Sequence, residues 1–137
     1  VDADGWYHTG DIGRVDEHGI LYVTGRLKEM LIVGGFNVFP AEVEDALRQS
    51  ALVRDAVVVP FPDDRLGEVP VAGVVWSGAG PASVDARIAE LTAECRRHLA
   101  PYKVPRQWFT LDAVPLTTNG KLDRRRAASI GAVALST

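Results

Sequence analysis

Cysteine is almost absent: Cys95 is the one thiol in 137 residues. No intrachain disulfide can form, so the fold has to rest on its hydrophobic core. A lone cysteine is compatible with a reducing compartment, and a cytoplasmic location is expected. Cys95 falls on the apolar stripe of a predicted helix, where a small buried hydrophobe fits better than a nucleophile. No apolar run approaches the roughly 18 residues that span a bilayer, so no integral membrane segment is expected. The formal net charge is only −3, which gives no reason to expect nucleic acid or an anionic membrane as a partner. The one basic cluster, Arg124-Arg125-Arg126, reads as the solvated start of a helix. No metal site is expected. An initiator methionine is missing as well, and Val1-Asp2-Ala3-Asp4 is polar and acidic, unlike a signal peptide. The chain is therefore expected to be a piece of a longer protein.

What the chain does have is a composition of 47% hydrophobic and 24% charged residues, enough for a soluble domain with a real core. Two alternating stretches, 12–16 and 20–25, flank Asp16-Glu17-His18-Gly19 and predict an N-terminal hairpin. The run Met30 to Val33 precedes Gly34-Gly35, a pair that fits either a close approach of backbone to a partner or a hairpin turn. Pro40 suits the first turn of a helix, with Glu42, Glu44 and Asp45 favouring its N-terminal dipole and Val43, Ala46 and Leu47 forming its stripe. Ala56 to Val59 reads as a buried strand, 63–68 as a polar turn, and Val69 to Trp76 as a strand in which Pro70 implies an edge or a bulge. Ser83 is placed to cap a helix running to about Leu99, with Val84, Ile88, Leu91, Cys95 and Leu99 on its core side and Arg87, Glu90, Glu94 and Arg97 on its wet side. Pro101 and Pro105 bracket an extended crossing before a strand at 107–111. A short helix to about Ala128 follows, and residues 131–137 are expected to fray. The fold class is α+β: a small mixed or antiparallel sheet with an N-terminal hairpin, flanked by helices.

Three motifs carry the chemistry. PLTTNGKLDR (Pro115 to Arg124) sets Lys121 directly after a turn-forming Asn119-Gly120 pair. A lysine on such a loop is a point charge that can be swung toward an anion. GWYHTGD (Gly5 to Asp11) and GRLKEMLIVGGFNVFPAEVE (Gly25 to Glu44) precede it. In this order the three resemble the C-terminal part of the adenylate-forming superfamily, which includes acyl-CoA synthetases, luciferases and the adenylation domains of nonribosomal peptide synthetases. The resemblance spans Gly5 to about Arg126. It implies that 1–27 is the final segment of a large N-terminal AMP-binding domain, that 28–130 is the C-terminal lid domain, and that 131–137 is a tail.

The resemblance also implies a reaction. A carboxylic acid is activated with ATP and Mg2+ to an acyl-adenylate, and the thiol of CoA or of a carrier protein's phosphopantetheine then displaces AMP. By the same resemblance, Asp11 would hold the ribose hydroxyls, with Val23 and Arg26 beside the nucleotide. An ionised carboxylate can accept both hydroxyls, and a guanidinium is a fork suited to phosphate or ribose oxygens. Lys28 falls at the hinge, which needs backbone freedom rather than side-chain chemistry. Gly35 would line the pantetheine channel, where the requirement is the lack of a side chain. Lys121 would be the catalytic cation, stabilising charge that spreads over the α-phosphate oxygens in the transition state. Two positions depart from relatives: Ile32 stands where certain synthetases and luciferases carry lysine, and Asn37 where acetyl-CoA synthetases carry a phosphate-contacting arginine. The expected whole is the lid of a fatty or medium-chain acyl-CoA ligase, inactive as an isolated chain. The alternatives are the lid of a carrier-loading adenylation domain, and a free-standing non-catalytic module with the lid fold.

Overall fold

The computed structural model describes the backbone of residues 11–15, 21–26 and 29–136, and side chains over 29–136. Its first element is the expected N-terminal hairpin. Strand β1 (Asp11–Val15) pairs antiparallel with β2 (Leu21–Arg26), with an irregularity between Ile12 and Gly13. The turn expected at Asp16-Glu17-His18-Gly19 lies outside the described residues.

The second sheet is mixed and five-stranded. A small hairpin, β3 (Leu31–Val33) and β4 (Phe36–Val38), leads into helix α1 (Pro40–Arg48). Two long strands follow, β5 (Val53–Asp63) and β6 (Gly67–Trp76), paired antiparallel along their length. Helix α2 (Val84–His98) then crosses to β7 (Gln107–Thr110), which runs parallel to β6. Helix α3 (Arg124–Leu135) closes the chain. The parallel pairing of β7 is a consequence of the crossover through α2, since a tight hairpin can only join antiparallel strands.

Alternation along the central strands explains why their sequence is a continuous apolar run. Ala56 and Val58 of β5, with Ala72 and Val74 of β6, join a core with Val43 and Leu47 of α1 and Leu91 and Cys95 of α2. Val57, Val59, Val71 and Val75 point the other way, into a second core with Phe109, Leu111 and Ala127 of α3. A sheet covered on both faces has no wet side, so the polar half of the alternation is lost.

Among the described residues the outer edge of β5 has no strand beside it, and helix α1 takes that place. Arg48 Nη2 donates to the Ala56 carbonyl at 3.2 Å, and the Val58 N–H donates to Glu44 Oε2 at 2.8 Å. The Ala56 N–H is taken by Asp55 Oδ1 at 2.8 Å, and Pro60 has no N–H to offer. The edge is thereby closed to pairing with another chain. Pro70 sits opposite Pro60, and it occupies an inner strand without a bulge, contrary to expectation. Its side of β6 faces the gap between Gly67, which meets β3, and Val71, which meets β7. The Pro70 carbonyl accepts from the Arg106 N–H at 2.8 Å.

Other expectations need correcting. Ser83 caps α2 as expected, its hydroxyl accepting from the Ala86 N–H at 3.4 Å, but Val84 is exposed and the stripe is deeply buried only at Leu91 and Cys95. Glu94, placed on the wet side, has Oε2 shielded from solvent. Pro101–Lys103 is a 3-10 turn rather than an extended crossing. Residues 131–135 are helix, because α3 continues about two turns beyond Ala128 against the second core.

Phe109 explains two glycines in that core. A Cβ on Gly73 of β6 would fall 2.7 Å from the Phe109 ring, and one on Gly131 of α3 would also fall 2.7 Å from it. The ring is 5% exposed and held between the two backbones, so it cannot yield. Gly131→Ala is therefore expected to destabilise the fold by about 1–3 kcal/mol through overpacking, although alanine intrinsically favours helix by about 1 kcal/mol. Urea unfolding checks this: a stabilised Gly131→Ala variant would show that the helix end is not seated on Phe109.

Candidate functional site

The Lys121 loop is a small, closely bonded hairpin. Leu116 and Leu122 form an antiparallel bridge at its base. The Gly120 N–H donates to the Thr117 carbonyl at 2.9 Å, and the Thr117 N–H donates to the Lys121 carbonyl at 2.6 Å. The Lys121 N–H adds a bond to Thr117 Oγ1 at 3.2 Å. Gly120 has φ +79°, and among the described residues no residue other than glycine has a positive φ. The loop is thus a turn over Thr118-Asn119 closed by a left-handed glycine. Its backbone is ordered while the Lys121 side chain is exposed and has no ion-pair partner among the described residues. An unneutralised ammonium on a fixed loop is what anion recognition requires.

The next residues tie this loop to the body of the domain. The Asp123 N–H donates to the Pro115 carbonyl at 2.9 Å, and Asp123 Oδ1 caps α3 through the Arg126 N–H at 3.0 Å. Arg124 turns inward. Its Nη2 lies 2.6 Å and its Nε 3.2 Å from the two oxygens of Glu44, and its Nη1 lies 2.9 Å from Glu29 Oε2. Reading all three arginines as a solvated face was wrong for Arg124, whose side chain is 18% exposed. Glu44 is 2% exposed. Burial pushes its carboxyl above the ordinary value, and the Val58 N–H and the Arg124 guanidinium pull it back only in part. Sequence reasoning assigned Glu44 to the helix dipole and missed this pair. The available signal was spacing: Glu44 shares the stripe of Pro40 and Leu47, where a charge must find a partner.

Gly34 and Gly35 form the tip of the β3–β4 hairpin, with φ of +56° and +90°. The hairpin turn is the observed reading of the pair. The Gly34 N–H donates to the Leu66 carbonyl at 3.0 Å, which fastens the tip to the β5–β6 turn. That turn is itself held by Asp63 Oδ1, which accepts from the Leu66 and Arg65 N–H groups and whose carboxyl those bonds lower. A Cβ on Gly35 would meet nothing within 4 Å, so the tip is open. Phe36, 56% exposed, stacks on Tyr102 with centroids 4.6 Å apart. Ile32 is also exposed on this hairpin.

In the N-terminal hairpin the register sets Asp11 opposite Arg26, and Gly13 opposite Val23. Asp11 and Arg26 are therefore neighbours across one ladder, while Lys121 and Gly35 stand on separate loops of the second sheet. Lys28 lies outside the described residues. Cys95 is buried, and burial with the nearby Glu94 charge pushes its thiol up to about 11, so it stays protonated and unreactive near neutral pH. No cluster of potential metal ligands occurs among the described residues, and none of their helices is long and apolar enough to cross a membrane.

The buried pair generates a stability prediction. Glu44→Ala leaves the Arg124 guanidinium with Glu29 alone and strands the Val58 N–H, at an expected cost of about 3–5 kcal/mol. The double variant Glu44→Leu/Arg124→Met should recover part of that loss, since it removes both charges and leaves the Val58 N–H unpaired. Urea midpoints report both. A single variant within about 1 kcal/mol of the parent would mean the pair does not hold the fold.

Comparison with known proteins agrees with the fold. The family description "AMP-binding enzyme C-terminal domain" matches residues 42–121. A methyl-dioxo-octahydroindenyl-propanoyl:CoA ligase of Mycobacterium tuberculosis is 47% identical over 134 residues, 96% of this chain and 25% of that protein. A long-chain-fatty-acid–CoA ligase of Bacillus subtilis is 42% identical over 126 residues, 92% of this chain and 22% of that protein. Among solved structures, the o-succinylbenzoate CoA synthetase of Bacillus subtilis in complex with its acyl-adenylate intermediate superposes with a TM-score of 0.81. It is 39% identical and is covered over 92% of this chain and 25% of its own. The chain spans about a quarter of the length of the curated relatives it matches.

Proposed function

The chain belongs to the AMP-binding enzyme C-terminal domain family, and from that premise we propose that it is the mobile lid of an ATP-dependent acid–thiol ligase acting on a fatty or medium-chain carboxylic acid. The observation that carries the reading is Lys121: an exposed ammonium without a counter-ion among the described residues, on a loop closed by its own backbone hydrogen bonds. The remaining parts of the reading are the boundary at 27/28 with a large N-terminal domain, and the hinge at Lys28. Asp11, Val23 and Arg26 would border the nucleotide, and Gly35 the thiol channel.

In the first half-reaction the substrate carboxylate attacks the α-phosphorus of ATP, and pyrophosphate leaves. Negative charge accumulates on oxygens of the transferring group. The Lys121 ammonium stabilises it without deprotonation, which lowers the barrier more than it strengthens ground-state binding. Asp11 accepts hydrogen bonds from the ribose hydroxyls, and Arg26 donates to nucleotide oxygens. Mg2+ bound with ATP would neutralise phosphate charge. After rotation about Lys28, the bare Gly34-Gly35 tip faces the acyl-adenylate and gives the pantetheine arm room, and its thiol displaces AMP. A carrier protein's phosphopantetheine is the second reading of the acceptor, favoured by Asn37, a neutral residue where a CoA-phosphate contact would call for a cation.

In the full-length enzyme, Lys121→Ala should lower carboxylate-dependent pyrophosphate–ATP exchange by roughly 10² or more. Thioester formation from supplied acyl-adenylate should suffer far less. Near-normal exchange, or equal losses in both steps, would refute the lid reading, and the isolated chain should show no exchange at all.

Gly35→Leu tests the second step. Its φ of +90° makes the substitution strained, by about 1–2 kcal/mol, so circular dichroism must first show a folded protein. The folded variant should retain pyrophosphate exchange and lose thioester formation. Normal thioester synthesis would mean that the glycine serves the turn alone.

A further inference from the structure

We infer that Arg124 is a positioning residue for Lys121: its fork to Glu44 and Glu29 fixes where the lysine loop stands relative to the start of the lid. This inference rests on the lid reading above and adds a residue to it. Hydrogen bonds within the Lys121 hairpin define its shape but not its placement, because all of them close between residues 115 and 123. Placement comes from the ends. Upstream, Val114 and Pro115 are only half-buried, and downstream the chain enters α3 within three residues of Lys121. Arg124 is the first residue of that helix, and it is anchored on two separate parts of the domain.

One anchor is the sheet. Glu44 receives Arg124 through both oxygens, and Glu44 Oε2 also accepts the Val58 N–H on the edge of β5. Arg124 is thus bonded, through one carboxylate, to the backbone of the longest strand. The other anchor is Glu29, at 2.9 Å, which directly follows Lys28. The guanidinium links Glu29, two residues before β3, to the start of the helix that follows the lysine loop. A planar fork held through all three of its nitrogens has little rotational freedom, and a lysine at the same place would lack the fixed, bidentate geometry. Arg125 and Arg126 are exposed and make no such link among the described residues. The arrangement is more than a stabilising ion pair, because a pair between α1 and α3 alone would not need the third arm to Glu29.

The consequence is specific to the first half-reaction. Misplacing a charge-stabilising group by about 1 Å can cost as much as 10²-fold in rate while leaving substrate binding unchanged. The test uses the full-length enzyme with Arg124→Lys, and with Glu29→Gln as the milder variant. Glu29 is 32% exposed, so its neutral replacement leaves no buried charge unpaired beyond the Glu44 fork. Arg124→Lys should reduce kcat of pyrophosphate–ATP exchange roughly 10-fold or more, with KM for ATP and acid within about twofold. Glu29→Gln should reduce it roughly threefold. Both should form thioester from supplied acyl-adenylate at near-parental rates, a split that a loss of folded protein cannot produce. Equal losses in the two half-reactions, or unchanged exchange in folded Glu29→Gln, would overturn the inference. If Arg124→Lys fails to fold, the Glu29→Gln result decides alone. Lys121→Ala run alongside separates the two claims: if it abolishes exchange while the Arg124 and Glu29 variants leave exchange intact, positioning fails and the lid reading stands.

Discussion

The carboxylate of Glu44 is the constraint around which this domain is arranged. It is buried, it closes one position on the open edge of β5, and it receives both arms of the Arg124 fork. A buried carboxylate is costly unless its lone pairs are filled, and three donors from two distant segments fill them here. The helix that carries Glu44 therefore has to lie along β5. The helix that carries Arg124 has to begin where its guanidinium can reach across. Lys121, three residues earlier, is placed as a by-product of satisfying that charge.

The two hydrophobic cores serve the same end. With α1 and α2 on one face and α3 on the other, the sheet is sealed, and α3 is pressed onto Phe109 closely enough that only glycine fits at position 131. The rigid middle contrasts with the two loops at which chemistry is proposed. The Gly34-Gly35 tip and the Thr117–Lys121 hairpin are both exposed, both depend on left-handed glycine, and both are fastened at their bases by backbone hydrogen bonds. Such loops present functional groups in fixed positions without burying them.

Much of this was legible in the sequence. The N-terminal hairpin, Pro40 at the start of α1, the Ser83 cap, the buried run at Ala56–Val59 and the thiol of Cys95 all follow from local rules and are found in place. The misses share a physical cause. Pro70 was tolerated in an inner strand, Arg124 turned inward and α3 ran on to Leu135, because of tertiary partners: a gap between two neighbouring strands, a buried carboxylate and an aromatic ring. None of these is visible in a window of neighbouring residues. At the candidate site, the motif around Lys121 was readable from its turn chemistry and from its resemblance to the adenylate-forming enzymes. The Glu44–Arg124 link joins residues 80 apart, and only the fold brings them together.

The most direct measurement is a structure of the full-length protein with ATP and an unreactive analogue of the carboxylic acid. Lys121 Nζ should stand at about 2.7–2.9 Å from an oxygen of the transferring group, with Arg124 still bonded to Glu44 and Glu29. A complex in which the Lys121 loop faces solvent while another cation of the protein occupies that position would contradict the assignment of this chain as the lid that supplies the charge.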